Sequence, residues 1–330
     1  MNPRRALRGL VISALLSALV YAVLAAVSDA RSVGTALRSF PLTTLAAVIA
    51  LTLGCYSARS VRWHYLVRLM GGRIGAWDAV FIQLSGMTMT VTPGKVGEVL
   101  KAYLARETVG LPMARGIALV FSERLADVVA VTALSTGAVG LFANSGPALA
   151  TAVAALVAGI AILSSARVHD LALRVASRQR WMQRHKDSAA EVSQTVRATL
   201  GLKPLVVSVV ISAVAWSCEG VAFALTIRAL GFEGLSVPAA VAVYAVSTLV
   251  GAFTFLPGGI GLTEASLAGL LVASGMAAGS ASAATLLIRL VTLWFGVALG
   301  WLVLASRPAM LRALVRLPED DDGAGEAPAP

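Results

Sequence analysis

Two short stretches decide how this chain folds: Thr92-Pro93-Gly94-Lys95-Val96-Gly97-Glu98 and Leu256-Pro257-Gly258-Gly259-Ile260-Gly261-Leu262-Thr263-Glu264. Both carry Pro-Gly, two variable residues, a Gly and then a Glu. Both interrupt long apolar sequence, the first between runs at 77–92 and 97–104, the second between runs at 237–256 and 260–277. Proline removes a backbone donor and breaks a helix. In lipid the freed carbonyls have no water to turn to, so such a break survives only inside protein or beside a wet cavity. Each pair of runs is therefore predicted to be a re-entrant helical hairpin that enters and leaves on one side.

The composition around them is that of a membrane protein. Of 330 residues, 58% are hydrophobic and 13% charged, with mean hydropathy +0.81. Soluble domains are about 45–50% apolar and about 25% charged, so an ordinary soluble enzyme is excluded. A disordered chain would be poor in apolar residues. Besides the hairpins, six runs are long enough to cross a bilayer: 9–27, 41–58, 113–143, 147–165, 205–227 and 283–305. The expected fold is an all-α polytopic membrane protein with six full transmembrane helices and two re-entrant hairpins. No cleavable signal peptide is recognised. Arg4, Arg5 and Arg8 precede the first run and place the N-terminus in the cytoplasm.

The charge of +10 could suggest a nucleic-acid partner, but position argues otherwise. Under this topology 21 of the 27 basic residues are cytoplasmic, Arg31, Arg38 and Arg228 lie outside, and Lys95, Arg124 and Arg289 lie within the membrane. That asymmetry follows the positive-inside rule. It puts both termini in the cytoplasm, in a cell membrane such as a bacterial inner membrane. No nucleic acid is called for. Trp63, Trp77, Trp216, Trp294 and Trp301 fall near span ends and read as an interfacial belt. Cys55 and Cys218 read as small packing residues.

The breaks also mark an internal repeat. Pro93 and Pro257 are 164 apart, and the intramembrane arginines Arg124 and Arg289 are 165 apart. Each half, about 9–143 and about 147–305, holds three full crossings and a hairpin, so the second is inverted relative to the first. Inverted repeats whose broken helices meet near the midplane are a recurring transporter design. One domain is expected over 1–306, followed by a disordered cytoplasmic tail over 307–330 with Glu319, Asp320, Asp321 and Asp322. The basic segment 166–204 places Val168, Leu171, Val175 and Met182 roughly on one helical face. It is expected to lie at the interface against anionic lipid headgroups.

Intramembrane charges are costly and usually functional. Here they are Lys95, Glu98, Glu123, Arg124, Asp127, Glu219, Glu264 and Arg289. Gly94, Gly97, Gly258, Gly259 and Gly261 let backbone approach a ligand. The helix start after each break offers free amides suited to a phosphate. Lys95, Arg124 and Arg289 are the expected substrate-binding cations. Glu98, Glu123, Asp127, Glu219 and Glu264 are expected to serve as coupling groups or ion-pair partners. No metal site, cofactor or catalytic constellation is recognised.

These residues resemble a known family. The first hairpin, Glu123-Arg124-Leu125-Ala126-Asp127 and the second hairpin are similar to the transmembrane region of lysylphosphatidylglycerol synthases, also called the flippase-like domain, over about 10 to 306. In the bifunctional enzymes this region is implied to carry aminoacylated phosphatidylglycerol across the bilayer, and a cytoplasmic transferase domain makes that lipid. The chain ends soon after the last span, so the resemblance implies a standalone member with the translocation role alone. The expected function is translocation of an anionic phospholipid or a lipid-linked phosphate, with a membrane lipid as partner and self-association into a homo-oligomer left open. The alternatives are an ion-coupled carrier of a small anion, whose repeat would look the same, and a membrane-embedded transferase acting on a lipid carrier. For the transferase, Glu123 and Asp127 could bind a metal, but two carboxylates alone are weak evidence of a site, and His64, His169 and His185 map to cytoplasmic or interfacial segments.

Overall fold

In lipid only structures that satisfy every backbone amide internally are stable, and for a single apolar chain without alternating polarity that means helices. A computed structural model describes residues 34–35, 38–91, 96–142, 146–176, 186–252 and 257–310, and these are helical without a strand. The expected first span at 9–27, the residues Pro93, Gly94 and Lys95, and the acidic tail from 311 onward lie outside the described residues.

The first half comprises α1 (Leu42–Leu69), α2 (Ala76–Gly86) with a 3-10 turn Met87–Met89, α3 (Val96–Val109) and α4 (Met113–Phe142). Helix α5 (Gly146–Leu163) opens the second half and is followed by two linker helices, α6 (Ala166–Ala176) and α7 (Lys186–Leu200). That half continues with α8 (Leu202–Ala229), α9 (Val237–Ala252), the turn Pro257–Gly259, α10 (Leu262–Ala273) and α11 (Ala278–Arg289). A π turn, Leu290–Trp294, carries α11 on into α12 (Phe295–Ala305).

Among the described residues three helices are long and apolar enough to cross a membrane: Leu42–Leu69, Leu202–Ala229 and the continuous Ala278–Ala305. At 28 residues each they reach roughly 42 Å, beyond the roughly 30 Å of a hydrocarbon core. Helix α4 has 30 residues, but Glu123, Arg124 and Asp127 sit at its centre.

The two halves pair reciprocally. Helices α1 and α8, which hold corresponding places in the expected repeat, pack along each other as the most extensive contact among the described residues. The first arm of each hairpin crosses to the other half: α9 lies on α4, and α2 lies on α12. The second arm stays home, α3 against α4 and α10 against α11. The core follows the same logic. One apolar cluster gathers Phe223, Val243, Leu267 and Ile288 with Val48 from α1; another gathers Trp63, Ile82, Leu100 and Leu119 with Leu304 from α12. Between them Val91, beside the first break, packs on Ile260, just past the second, together with Leu293 and Val297. Residues that flank the two breaks in sequence therefore meet inside the protein.

The linker is more structured than a single interfacial segment. On α6, Val168, Leu171 and Val175 are exposed on one face, as the sequence pattern predicts. Helix α7 instead docks on α4, with Thr195, Thr199 and Leu200 buried and the Ser122 and Thr199 hydroxyls 2.6 Å apart. Met182 lies outside the described residues.

Close helix contact rests on small residues, as is usual where lipid supplies no hydrophobic drive between helices. A Cβ added at Gly300 of α12 would come within 2.6 Å of the Leu84 carbonyl oxygen of α2. At Gly269 of α10 a Cβ would meet nothing within 4 Å. Gly300→Ala is expected to destabilise the purified protein by about 1–3 kcal/mol, the usual cost of overpacking. Gly269→Ala should leave thermal unfolding in detergent unchanged.

Candidate functional site

Helix α1 supplies the centre of the site. Its buried residues, among them Val48, Thr52, Cys55, Tyr56, Arg62 and Trp63, recur at spacings of three and four, so one stripe faces inward along the whole helix. The stripe turns polar and cationic in its second half. Arg62 is 1% exposed, and a buried guanidinium must be paired. Its Nη1 donates to Asp127 Oδ1 at 2.6 Å and to the Ser212 hydroxyl, while Nε and Nη2 each lie 3.3 Å from Glu123 Oε1. Glu123 and Asp127 are one turn apart on α4 and present both carboxylates to one arginine. Lys101 of α3 closes the group. Its Nζ donates to Gln83 Oε1 at 2.8 Å, pairs with Glu123 Oε2, and sits 4.1 Å from the centre of the Trp63 ring. The network thus ties α1, α2, α3, α4 and α8 together.

A second cluster lies nearby on α8. Glu219 is 4% exposed. It accepts from the Cys55 thiol at 3.0 Å, from Arg59 Nη2 at 3.3 Å and from the Tyr244 hydroxyl at 2.8 Å. Arg59 also stacks on Trp216, 4.6 Å from its ring centre. Tyr244 lies 3.4 Å from Thr292 Oγ1, and the Tyr56 hydroxyl donates to the Thr292 carbonyl at 3.0 Å. Thr292 sits in the π turn, a local widening of the helix that recurs at functional sites.

The third cluster holds the second break. Gly258, Gly259 and Gly261 have φ of 60°, 68° and 97°, where a side chain would be strained. Glu264, third residue of α10, accepts the Gly261 amide at 2.6 Å and so caps its own helix. Its other oxygen takes Arg289 Nε at 2.6 Å, and Arg289 Nη2 donates to the Gly258 carbonyl at 2.6 Å. Arg289 thereby satisfies a carbonyl that the break released.

The three clusters border one cavity of about 260 Å³ between the halves. Arg59, Lys101, Arg124 and Arg289 line it with Asp127, Glu219, Gln83, Trp216 and Tyr244, and the Gly258-Gly259 backbone forms part of its wall. Arg124 is the least enclosed of these cations, its side chain 35% exposed, and it pairs with Asp127 one turn on at 3.3 Å.

The residues named from sequence are thus largely brought together. Arg124, Asp127, Glu219, Gly258, Gly259 and Arg289 reach the cavity, and Glu123, Glu264 and Gly261 stand directly behind it. Gly97 and Glu98 fall in the first turn of α3, and Pro257 opens the Pro257–Gly259 turn. Several expectations change. The amide of Gly261 is already taken by Glu264, so it is not open to a phosphate. Arg59, Arg62 and Lys101, sorted by sequence into cytoplasmic segments, are interior, which leaves 18 basic residues assigned to the cytoplasm. The tryptophan belt also loses members, since Trp63 is fully buried and Trp216 stacks on Arg59. Cys55 is a donor as well as a packing residue. Sequence reasoning missed Arg59 and Arg62 because the apolar run ends at 58 while the helix continues to Leu69. The inward stripe of α1, carried past the apolar run, contains them both. Among the described residues no group of three or more His, Cys, Asp or Glu side chains is placed to hold a metal.

Removing Arg62 would strand Glu123 and Asp127. Arg62→Leu is expected to cost about 3–5 kcal/mol, the usual penalty for breaking one side of a buried pair, read as a large loss of thermal stability in detergent. Arg124→Ala should cost far less, because its side chain is partly exposed.

Comparison with known proteins agrees with this architecture. The chain is 23% identical to a UPF0104 membrane protein of Methanothermobacter thermautotrophicus, in an alignment covering 78% of this chain and 81% of the relative. The family model described as lysylphosphatidylglycerol synthase TM region matches residues 9–300. With its apolar helices and a match over nearly the whole chain, this is a membrane protein that belongs to the lysylphosphatidylglycerol synthase TM region family.

Proposed function

We propose that this protein is a translocator of an anionic phospholipid or lipid-linked phosphate in the cell membrane, and not an enzyme. The observation that carries the reading is the cavity between the halves, lined by Arg59, Lys101, Arg124 and Arg289. Four cationic side chains beside one cavity in an apolar bundle are expensive. They make sense if the cavity receives a negative charge. Its volume of about 260 Å³ lies just below the roughly 300–1,000 Å³ of small-molecule pockets. That suits a headgroup whose acyl chains stay in lipid.

The hairpins supply the gate. Arms α2 and α3 have 11 and 14 residues, roughly 16 and 21 Å, and α9 and α10 have 16 and 12, roughly 24 and 18 Å. None alone reaches the roughly 30 Å needed to cross, which supports reading each pair as one that goes in and returns. Reciprocal packing of the halves supports an inverted repeat in which rocking about α1 and α8 exposes the cavity to alternate sides. The N- and C-termini are assigned to the cytoplasm by the basic loops. Anionic headgroups of the surrounding membrane are the partners of α6.

The test is reconstitution in vesicles carrying a fluorescent anionic phospholipid, with transbilayer movement read by a membrane-impermeant quencher. Arg124→Ala is expected to fold and to slow movement roughly ten- to hundredfold, the loss of a charge-assisted contact of about 1.5–3 kcal/mol. Movement by Arg124→Ala at the wild-type rate would remove the site assignment. The cavity volume also suits a small soluble anion. Uptake of such an anion into sealed vesicles, with no movement of the lipid probe, would favour an ion-coupled carrier.

A further inference from the structure

Glu219 lines the cavity, and its three hydrogen-bonding partners all come from other helices. Two of them, the Cys55 thiol and the Tyr244 hydroxyl, are neutral donors. The third, Arg59, is the cation that balances the carboxylate, at 3.3 Å. Arg59 is itself on the cavity wall, seated on the face of Trp216, and its side chain is 12% exposed. An anion entering the cavity therefore meets a guanidinium already shared with an acid. If Arg59 turns to the anion, Glu219 is left as a buried carboxylate held by neutral donors alone. Such a charge is unfavourable in an apolar interior, and one proton removes it.

We propose that Glu219 exchanges Arg59 for a proton when an anionic headgroup binds, so that each anion bound carries about one proton with it. The charged and titratable groups facing this exchange come from every helix around it. They are Cys55, Tyr56 and Arg59 of α1, Lys101 of α3, Arg124 and Asp127 of α4, Cys218 of α8, Tyr244 of α9 and Arg289 of α11. Asp127, the other carboxylate on the cavity wall, is held by Arg62 as well as Arg124, whereas among the described residues Arg59 is the one ion-pair partner of Glu219. The exchange also reaches the second break. Tyr244 touches Thr292, and Thr292 lies in the π turn that follows Arg289, which holds the Gly258 carbonyl. The proton is given up by a buffer acid in bulk solvent, which becomes its conjugate base, passes through water reaching the cavity and forms the O–H bond of the Glu219 carboxyl.

This inference rests on the reading of the cavity as an anion site, and the experiment separates the two. Titration calorimetry on the purified full chain would use two monoanionic phosphodiesters, short-chain phosphatidylglycerol and dimethyl phosphate, in buffers of different ionisation heat. Wild type is expected to take up about one proton per anion, with affinity falling up to about tenfold per pH unit as pH rises. Glu219→Gln should bind at least as tightly, take up no proton and show no pH slope. Arg59→Ala should bind more weakly and also take up no proton, which keeps the test open if Glu219→Gln fails to fold. Anion binding without proton uptake in wild type, or equal uptake in Glu219→Gln, overturns the exchange and leaves the anion site standing. No binding of either anion to wild type overturns both. Binding of short-chain phosphatidylglycerol but not dimethyl phosphate, with proton uptake, supports the exchange and assigns the site to lipid.

Discussion

A guanidinium buried in an apolar bundle has to find its counter-charges within reach, and Arg62 is where that constraint acts most strongly. It draws Glu123 and Asp127 of α4 against α1 and holds Ser212 of α8, while Lys101 joins through Glu123. Helices from both halves are therefore fixed to one another by a polar core, where apolar packing between helices gains little over packing against lipid. The same core fixes the cavity, because Lys101 and Asp127 line it while Arg62 and Glu123 hold them in place. Breaking the pair costs far more than the pair adds to stability. The network thus acts mainly to specify one arrangement.

The pairing of Arg289 with Glu264 solves a related problem at the second break. A Pro-Gly turn at membrane depth frees carbonyls and needs glycines at positive φ. Glu264 caps the helix that restarts, and Arg289 takes the Gly258 carbonyl. Val91, just before the first break in sequence, and Ile260, just after the second, pack together. The irregular backbone of Gly258 and Gly259 lines the cavity, where such backbone is tolerated.

Much of this was legible in the sequence because it depends on local chemistry. The apolar runs give the all-helical class, and the second Pro-Gly stretch gives the turn at Pro257–Gly259. The match to Arg124, Asp127, Glu219, Gly258 and Arg289 follows from the rarity of charge and strained glycine in apolar sequence. Arg59, Arg62 and Lys101 were hidden because sequence position cannot separate a cytoplasmic loop from the end of a long helix turned inward. The long-range partners were hidden too. Cys55 and Tyr244 reach Glu219 across 164 and 25 residues, and neither residue type announces a polar contact. The docking of α7 buries Thr195 and Thr199, whose hydroxyls read from sequence as facing water, and sets Thr199 beside Ser122.

The central claim is that the cations around the cavity receive an anionic headgroup. Its most direct test is a cryo-electron microscopy map of the protein in nanodiscs rich in anionic phospholipid. The account predicts phosphate density between Arg124 and Arg289, with acyl chains leaving the protein between the halves. A dry interior, in which Arg59, Lys101, Arg124 and Arg289 keep their present carboxylate partners with no density between the breaks, would contradict it.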